Sequence, residues 1–461
     1  MKKLVIPILF LLLYTCNKEV NTNYILLSGT IENTKSKHIT IDNEDFKTEV
    51  EINQDGTFSD TLYIPEHGFY TMTIGKEHTP IYLTFNDNLT VSVDAKQIDQ
   101  TISYSGKGAI ENNYLASKTL YNNQITGKSI QFFALEEANF KAELDKMQST
   151  NNTRLDGLMN ADEHFITTEK QNLIYDRYAQ INKYIQRHGY YAEKEHFEVS
   201  EHFIPVELKN MNFDNSNAYK TSVSYKKMAF DNALTTIFND LGDDISNVTP
   251  KDLNSVQNLK IPALKNKIID YLSMYLISPG NKNMEVIYNF LSANTADEDL
   301  KHKLRTIFDK NINLVKGKPY PHFVNYENHK GGAVSLTDLK GKFVYIDVWA
   351  QWCGPCIAEI PALKNIEKTF HNKNIAFVST SIDQAKDRQK WSTMIKDKNL
   401  GGIQLLADNN WDSKFIKAYG IQGIPRFILI DPKGDIVSAD APRPSDPKLL
   451  ELLEKELKPQ P

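Results

Sequence analysis

One stretch constrains the fold more than any other: a mostly apolar run at 343–348 leads into the sequence Trp-Cys-Gly-Pro-Cys at 352–356. The run is rich in β-branched and aromatic residues and contains no breaker, which is typical of a buried parallel strand. From 356 to 370, apolar residues recur at helical spacing. The sequence therefore predicts that Cys353 and Cys356 lie where a buried strand ends and a helix begins.

This cysteine pair has the pattern of a redox centre. A helix N-terminus offers unpaired N–H groups and the positive end of the peptide dipoles, so it stabilises a thiolate at Cys353. Two intervening residues bring Cys356 within bonding range, so a mixed disulfide at Cys353 can be resolved internally. The pair would also suit half a zinc site, but the chain has three cysteines and no second pair. We expect thiol–disulfide chemistry, with no metal and no other cofactor.

The amino terminus has the pattern of an export signal. Two lysines follow Met1, and the apolar run at 4–13 is too short for a comfortable transmembrane helix. The sequence Leu-Tyr-Thr-Cys at 13–16 resembles a bacterial lipobox, in which Cys16 is acylated, although Thr15 departs from the usual small residue. We expect a signal peptide at 1–15 and a lipid-anchored tether at 16–23. Ordinary signal cleavage is the alternative.

Length and charge narrow the function classes. At 461 residues the chain exceeds the size of a single core, so two or three domains are expected. The net charge of -5 gives no basic footprint for nucleic acid, so no nucleic-acid partner is expected. With Cys16 assigned to the membrane, Cys353 and Cys356 are the remaining thiols. An exported protein with one remaining pair has no disulfide framework, which favours a catalytic role for that pair.

The spacing of apolar residues divides the chain into three parts. Residues 24–108 alternate apolar and polar positions in short runs, which predicts an antiparallel β-sandwich-like domain. The period is helical from 109 to 315, which predicts an α-helical region. The predicted strands of the first part are 24–27, 38–41, 48–52, 69–74, 81–85 and 89–93.

In the last part, 316–461, strands alternate with helices, which predicts an α/β fold with a mixed central sheet covered by helices. The predicted strands after the opening one are 375–381, 404–406, 426–430 and 436–438. The predicted helices are 357–370, 385–396, 412–419 and 447–457.

This last part resembles the thioredoxin superfamily and, within it, the membrane-tethered, extracytoplasmic TlpA/ResA-like thiol-disulfide oxidoreductases. The resemblance is carried by the motif at 352–356, the strand before it, the sequence Tyr-Gly-Ile-Gln-Gly-Ile-Pro at 419–425, a proline-rich lead-in, and the additional helix and strand between 385 and 406. The first part contains Asn-Gln-Asp-Gly-Thr-Phe at 53–58, Tyr-Leu at 82–83 before a turn at 86–88, and Tyr-Ser-Gly-Lys-Gly at 104–108. Through these sequences it resembles the β-sandwich-like domain that precedes thioredoxin domains in many Bacteroidetes lipoproteins.

The resemblance implies roles for the acidic and sulfur-bearing residues. Cys353 is the exposed attacking thiolate, and Cys356 is the more buried resolving thiol. Asp347 matches the buried acid beneath the active site, where burial should raise its pKa and make it a proton acceptor for Cys356. Ser379 lies near the position of the lysine that thioredoxin places beside that acid. Glu359 matches an acidic residue near the disulfide, and an ordinary first-turn glutamate is the alternative.

The resemblance also implies a substrate-binding surface. Pro425 matches the cis-proline that faces the cysteine pair, and the backbone of Ile424 could pair with an extended substrate strand. Trp352, Gly354 and Pro355 complete this surface. Arg426 replaces a common threonine, which would bias the surface towards acidic substrates.

The expected function is reduction of protein disulfides by a lipid-anchored, periplasm-facing protein of the cell envelope, with the outer-membrane surface as a second location. Gly-Pro between the cysteines is the dipeptide of thioredoxin, a far weaker oxidant than DsbA. The resemblance implies service to cytochrome c maturation, with electrons from a membrane partner of the DsbD/CcdA kind. Two alternatives stay open: a surface-binding module for a glycan or protein with an accessory redox domain, and a peroxidase, although no Pro-x-x-x-Thr-x-x-Cys sequence is present.

Overall fold

The computed structural model describes residues 23–127, 129–242 and 245–458. The predicted signal peptide and the acylated Cys16 lie outside these residues. The chain forms two compact units, of which the first ends at Ala229 and the second begins at Phe230. Within the described ranges, no helix combines the length and the apolar character that crossing a membrane requires.

Two four-stranded sheets open the first unit, with strand orders β4-β1-β7-β8 and β3-β2-β5-β6. Buried and exposed residues alternate along β5 and β7, and the buried faces of both sheets join one apolar core. This confirms the sandwich-like expectation, except that β1 pairs in parallel with β7. The chain passes through the second sheet before it returns to β1, and such a crossover permits parallel pairing. The strands are β1 (Tyr24–Glu32), β2 (His38–Asp42), β3 (Lys47–Glu51), β4 (Thr57–Tyr63), β5 (Gly68–Ile74), β6 (Glu77–Leu83), β7 (Asn88–Asp94) and β8 (Ser103–Lys107).

Helices fill the rest of the first unit, as the periodicity predicts. Asp162 caps the longest of them by accepting the backbone N–H of Phe165. Phe140 and Tyr184 stack with ring centroids 4.2 Å apart and thereby join two helices. The helices are α1 (Ile98–Thr101), α2 (Ala109–Thr126), α3 (Ser129–Phe133), α4 (Glu137–Asp156), α5 (Glu163–Tyr191), α6 (Val206–Lys209), α7 (Ser216–Thr221) and α8 (Val223–Leu241), which contains the boundary between the units.

The second unit continues with short helices and then a seven-stranded mixed sheet of order β10-β9-β13-β12-β11-β14-β15. Its helices are α9 (Asn254–Gln257), α10 (Pro262–Leu276), α11 (Met284–Ala293), α12 (Glu298–Asn311), α13 (Gly354–Thr369), α14 (Arg388–Asp397), α15 (Lys414–Ala418) and α16 (Pro447–Glu456). Its strands are β9 (Tyr326–Asn328), β10 (Ala333–Val334), β11 (Phe343–Trp349), β12 (Ile375–Ser381), β13 (Ile403–Leu406), β14 (Arg426–Ile430) and β15 (Ile436–Ser438).

Strand β11 is an inner strand of this sheet, parallel to β12 and antiparallel to β14. Both of its faces are covered, because Ile346 belongs to an apolar cluster with residues of α14 and α15, while Tyr345 belongs to another with residues of α13 and α16. A strand buried on both faces reads as a nearly continuous apolar run. The mixed sheet covered by helices is therefore confirmed, and the carboxyl end of β11 positions the cysteine pair.

Candidate active site

The cysteine pair caps the first turn of α13. Strand β11 ends at Trp349 and α13 begins at Gly354, so Cys353 is the capping residue. The backbone N–H of Cys356 lies 3.2 Å from Cys353 Sγ. Pro355 occupies the first turn, where its missing N–H removes no helix bond. A free helix N–H and the positive end of the peptide dipoles both favour a thiolate at Cys353.

Cys353 and Cys356 form a disulfide, with their Cα atoms 5.3 Å apart. Both residues are buried, at 4 % and 5 % exposure. The expectation of an exposed Cys353 and a more buried Cys356 is therefore wrong for this oxidised form. Cys353 Sγ packs 3.8 Å from the carbonyl oxygen of Ile424, and both cysteines belong to the apolar cluster beside β11. The two cysteines therefore do not differ in exposure. They differ in that a backbone N–H of the helix, that of Cys356, contacts the sulfur of Cys353.

Two segments border the disulfide at the surface. Trp352 is 55 % exposed, and Gly354 and Pro355 are exposed as well. On the other side the Ile424–Pro425 peptide bond is cis, as the resemblance implies. Ile424 and Pro425 are both partly exposed. All five residues predicted to bind substrate therefore lie next to the sulfurs in sequence or in the loop that covers them.

Asp347 lines a small cavity that Cys356 also lines. The cavity has a volume of about 10 Å³, roughly the space for one water molecule. Burial raises the pKa of Asp347 to about 7, helped by the negative charges of Glu359 and Glu367, although a hydrogen bond from Ser379 opposes the rise. Ser379 is the direct neighbour of Asp347 on β12. An acid with a pKa near neutrality beside Cys356 can exchange protons with a thiol.

The cavity contains further polar groups that sequence reasoning missed. Gln404 and Trp349 line it, and their Oε1 and Nε1 atoms are buried without a hydrogen-bond partner among the described residues. Together with the Asp347 carboxyl they supply the polar contacts that a buried water needs. Neither residue is part of a motif with a known chemical role. The sequence around Gln404 predicts a strand and gives no indication of a site.

Glu367 also lines this cavity and was missed, whereas the predicted Glu359 has other contacts. Burial raises the pKa of Glu367, and Lys364 opposes that rise. Glu359 accepts hydrogen bonds from the backbone N–H and hydroxyl of Ser445, at 2.9 and 2.8 Å. The helical period could have found Glu367, because residues four, seven and eleven positions after Cys356 share its face.

Two further residues hold the loops around the disulfide. Asp383 is buried and accepts hydrogen bonds from the backbone N–H of Gln351 at 3.0 Å and from the hydroxyl of Ser381 at 2.7 Å, which fixes the start of the cysteine loop. Arg426 was expected to face substrate. Its Nε instead donates to the carbonyl of Ala439 at 3.1 Å, and its guanidinium pairs with Asp440 at 3.2 Å.

Across the described ranges, no group of three or more His, Cys, Asp and Glu side chains is placed to hold a metal ion. The groups around the disulfide are two sulfurs, two acids of raised pKa, Asp347 and Glu367, and an exposed surface. Such a set can exchange disulfides and move protons.

Comparison with known proteins agrees with this chemistry. The Redoxin family model matches residues 315–453. Thiol-disulfide oxidoreductase ResA of Bacillus subtilis (strain 168) is 28% identical over 131 residues, which cover 28% of this chain and 70% of that protein. Thioredoxin-like protein YneN of the same strain is 30% identical over 133 residues and 75% of its length.

A solved structure gives a similar match. The thioredoxin domain of a thiol-disulfide oxidoreductase from Bacteroides vulgatus is 30% identical, with 32% of this chain and 99% of that chain covered and a TM-score of 0.29. The range that the family model matches contains the disulfide. The chain belongs to the TlpA/ResA-like thiol-disulfide oxidoreductases of the thioredoxin superfamily.

Proposed function

We propose that this protein reduces disulfides in other proteins through a Cys353/Cys356 dithiol. The observation that carries the proposal is the position of Cys353 at the helix cap, with the N–H of Cys356 directed at its sulfur. This geometry lowers the free energy of the thiolate, which is the form that attacks a disulfide. The Gly-Pro dipeptide between the cysteines supports reduction rather than oxidation as the direction.

The proposed reaction transfers two electrons. The Cys353 thiolate attacks one sulfur of the substrate disulfide, whose S–S bond breaks, and the released substrate thiolate takes up a proton. Cys356 then loses its proton and attacks Cys353 Sγ. The mixed disulfide breaks, the second substrate thiolate leaves, and the Cys353–Cys356 disulfide seen in the structure forms. A dithiol donor must reduce this disulfide before the next cycle.

Asp347 is the proposed acceptor of the Cys356 proton. Both residues line one cavity, and the pKa of Asp347, raised to about 7, lets it be ionised just where the reaction needs a base. Glu359 acts through Asp347 in this scheme, because its negative charge helps to raise the pKa of that acid while its own carboxylate binds Ser445. It is thus proposed as a positioning residue rather than a group that contacts the sulfurs.

Substrate is proposed to bind across the two segments that border the disulfide. The indole of Trp352 offers an exposed apolar surface next to Cys353, and Gly354 and Pro355 leave the approach free of larger side chains. The Ile424 backbone, next to Pro425, can pair with an extended substrate segment as an added strand does.

We further propose that the chain acts in the cell envelope, anchored by lipid at Cys16 and facing the periplasm. The export-like amino terminus and the resemblance to the membrane-tethered TlpA/ResA-like proteins support this proposal. The dithiol donor would be a membrane protein of the DsbD/CcdA kind, and the substrates would include apocytochromes c. The Redoxin match at 315–453 supports a redox domain that begins near residue 316 after a β domain at 24–108 and a helical region at 109–315.

Trapping of substrate tests the proposal. A Cys356→Ser variant cannot resolve the mixed disulfide, so it should accumulate disulfide-linked adducts with protein substrates, which non-reducing electrophoresis and mass spectrometry identify. The Cys353→Ser variant is the matched control, because it keeps Cys356 but loses the attacking sulfur. Equal adduct formation by the two variants would contradict the assignment of Cys353 as the attacking sulfur.

The direction of reaction needs a separate measurement. The equilibrium potential of the Cys353/Cys356 couple against glutathione should lie nearer to the value of thioredoxin, about -270 mV, than to that of DsbA, about -120 mV. A value near the latter would contradict the reductant assignment. Consumption of hydrogen peroxide by the purified protein would instead support a peroxidase.

The rate of resolution tests the role of Asp347. In the unaltered protein the rate of Cys356 attack should rise with pH through about 7, because Asp347 becomes ionised there. An Asp347→Asn variant should resolve mixed disulfides about 10- to 100-fold more slowly at pH 7, and its rate should rise only near the ordinary cysteine pKa of about 8.5. Stopped-flow measurement with a mixed-disulfide substrate checks this, and identical pH profiles would exclude Asp347 as the acceptor.

A further inference from the structure

The first unit contains a cavity of about 470 Å³, which lies within the range of small-molecule sites. It is bordered by residues of β5, β6, α2, α5 and the start of α8. Phe69, Pro80 and Val223 give it apolar walls, and lysine, asparagine and carboxylate side chains also line it. The redox chemistry uses none of these residues.

One cluster in the cavity wall is already satisfied. Lys118 Nζ lies 2.6 Å from a carboxylate oxygen of Glu169 and 3.3 Å from one of Asp176, and these Lys118 and Glu169 side chains are almost fully buried. The hydroxyl of Ser224 donates to the other oxygen of Asp176 at 2.5 Å. Each charged group here has a partner, so the cluster stabilises the cavity wall and does not require a ligand.

Three groups of the cavity wall are not satisfied, namely the side chains of Asn172, Gln180 and Lys183. Gln180 Oε1 is buried without a hydrogen-bond partner among the described residues. Asn172 is 5 % exposed; its side-chain N–H groups donate to Glu169 and to the carbonyl of Thr221, but its Oδ1 is buried without a partner among the described residues. Lys183 also lines the cavity and forms no ion pair with any of the described residues. Leaving a buried carbonyl oxygen unpaired costs free energy, and a ligand with a donor group would remove that cost.

The other lysines of the cavity show that Lys183 is unusual. Lys220 pairs with Asp45 and Glu66, and Lys226 pairs with Glu44. Lys183 instead has Arg187 and Lys227 as its charged neighbours. Burial and the positive charges of these two residues lower the pKa of Lys183, and the negative charge of Asp176 compensates only in part. An anion at this position would relieve the repulsion among the three cations.

We propose that this cavity binds a small organic carboxylate that carries an apolar group, such as an acylated amino acid, a peptide carboxyl terminus or a fatty acid. The carboxylate pairs with Lys183, the apolar group packs against Val223, and an amide N–H of a peptide-like ligand donates to Gln180 Oε1, one helical turn from Lys183. The site is independent of the proposed redox function, because every residue in it belongs to the first unit.

Calorimetric titration of the full chain tests this site. The probes are N-acetyl-L-phenylalanine, which has the carboxylate, the amide N–H and an apolar ring, and its uncharged analogue N-acetyl-L-phenylalaninamide. We expect the acid to bind about tenfold or more tightly than the amide, since hydrogen bonds to charged groups are the strong ones. Octanoate is the third probe: if it binds while the amino-acid acid does not, the natural ligand is of the fatty-acid type and the carboxylate site stands.

Variants of Lys183 identify the anchoring cation. Lys183→Gln should weaken binding of the acid about tenfold or more and leave binding of the amide unchanged, whereas Lys183→Arg should keep the affinity for the acid. Lys170→Gln is the matched control, because Lys170 lies on the same helix, pairs with Asp156 at the surface and should affect neither probe.

Three results would overturn the proposal: binding of neither carboxylate, equal affinity for acid and amide, or unchanged affinity in a folded Lys183→Gln variant. Circular dichroism establishes whether the variants fold. If Lys183→Gln does not fold, the comparison of acid with amide on the unaltered chain still decides.

Discussion

Glu169 in the first unit and Asp347 in the second are carboxylates taken largely out of water, but their surroundings differ. Glu169 has Lys118 at 2.6 Å and a hydrogen bond from Asn172. Asp347 has no cation within ion-pair distance among the described residues, and it accepts a hydrogen bond from Ser379. Burial alone would lower the pKa of Lys118, but the carboxylates of Glu169 and Asp176 raise it above its ordinary value. Burial raises the pKa of Asp347 to about 7.

The difference separates a structural acid from a reactive one. Burial raises the pKa of Glu169 as well, but the positive charge of Lys118 and the hydrogen bonds from Lys118 and Asn172 oppose that rise and hold the carboxylate in an ion pair. A buried carboxylate without a cation partner changes its protonation near neutrality, and this property is useful beside a thiol that must lose a proton. Removal of the cation beside Glu169 should therefore destabilise the first unit, whereas neutralisation of Asp347 should stabilise the second unit.

The largest effect should follow from removing the cation in the first unit. Lys118→Met leaves Glu169 buried without its partner and should destabilise the first unit by about 3–5 kcal/mol. Urea unfolding followed by circular dichroism measures this, while fluorescence of Trp349, Trp352, Trp391 and Trp411 reports the second unit separately. Lys170→Met removes an exposed pair and should cost less than about 1 kcal/mol. Equal losses in the two variants would remove the contrast.

A smaller effect of opposite sign should follow from neutralising the acid in the second unit. Because the folded pKa of Asp347 exceeds its ordinary value of 3.8, the folded protein binds more protons than the unfolded chain between about 4 and 7, and it loses stability as pH rises through that window. The shift corresponds to at most about 4 kcal/mol. Since the cavity has space for water, we expect Asp347→Asn to stabilise the second unit by about 2 kcal/mol at pH 8.

This gain should shrink as the pH falls from about 7 towards about 4, because Asp347 then takes up a proton in the folded state and no longer buries a charge. Urea unfolding followed by tryptophan fluorescence at pH 8 and pH 5 measures it. A variant that is less stable than the unaltered protein at pH 8 would show that the ionised Asp347 is well solvated or paired.

The smallest effect should follow from Glu367→Gln. The negative charge of Glu367 contributes to the raised pKa of Asp347, so its removal should lower that pKa by a few tenths and shift the pH profile of resolution to lower pH by the same amount. Glu454→Gln, on α16, is the control with the same loss of charge. A profile that moves equally in both variants would assign the change to net charge rather than to the cavity.

Much of the second unit follows from its sequence, because strands buried on both faces leave a continuous apolar signature. The predicted strands at 375–381, 426–430 and 436–438 have the bounds of β12, β14 and β15. The first unit was less predictable. Strand β4 was missed, because Ser59 and Asp60 interrupt its buried positions, and so was β8, in which only Tyr104 is buried. Helix α13 begins earlier than predicted, since Cys353 itself is the cap.

The site was predictable as far as local motifs extend. The spacing of the cysteines, the strand before them and the resemblance identified Cys353, Cys356, Asp347 and Pro425. The burial of Cys353 was not predictable, because it depends on the Ile424 carbonyl, 71 residues away in sequence. The resemblance identifies only Glu359, one turn from Cys356, whereas the acid of α13 that lines the cavity is Glu367, three turns away.

The pKa of Asp347 is the most direct test of this account. A pH titration of the oxidised protein, followed by the ¹³C chemical shift of the side-chain carboxyls and assigned with the Asp347→Asn variant, measures it without reference to any substrate. The account predicts a midpoint of about 7 for Asp347. A midpoint near the ordinary aspartate value, about 4, would show that the acid beside Cys356 is already compensated, and it would contradict the proposed proton transfer.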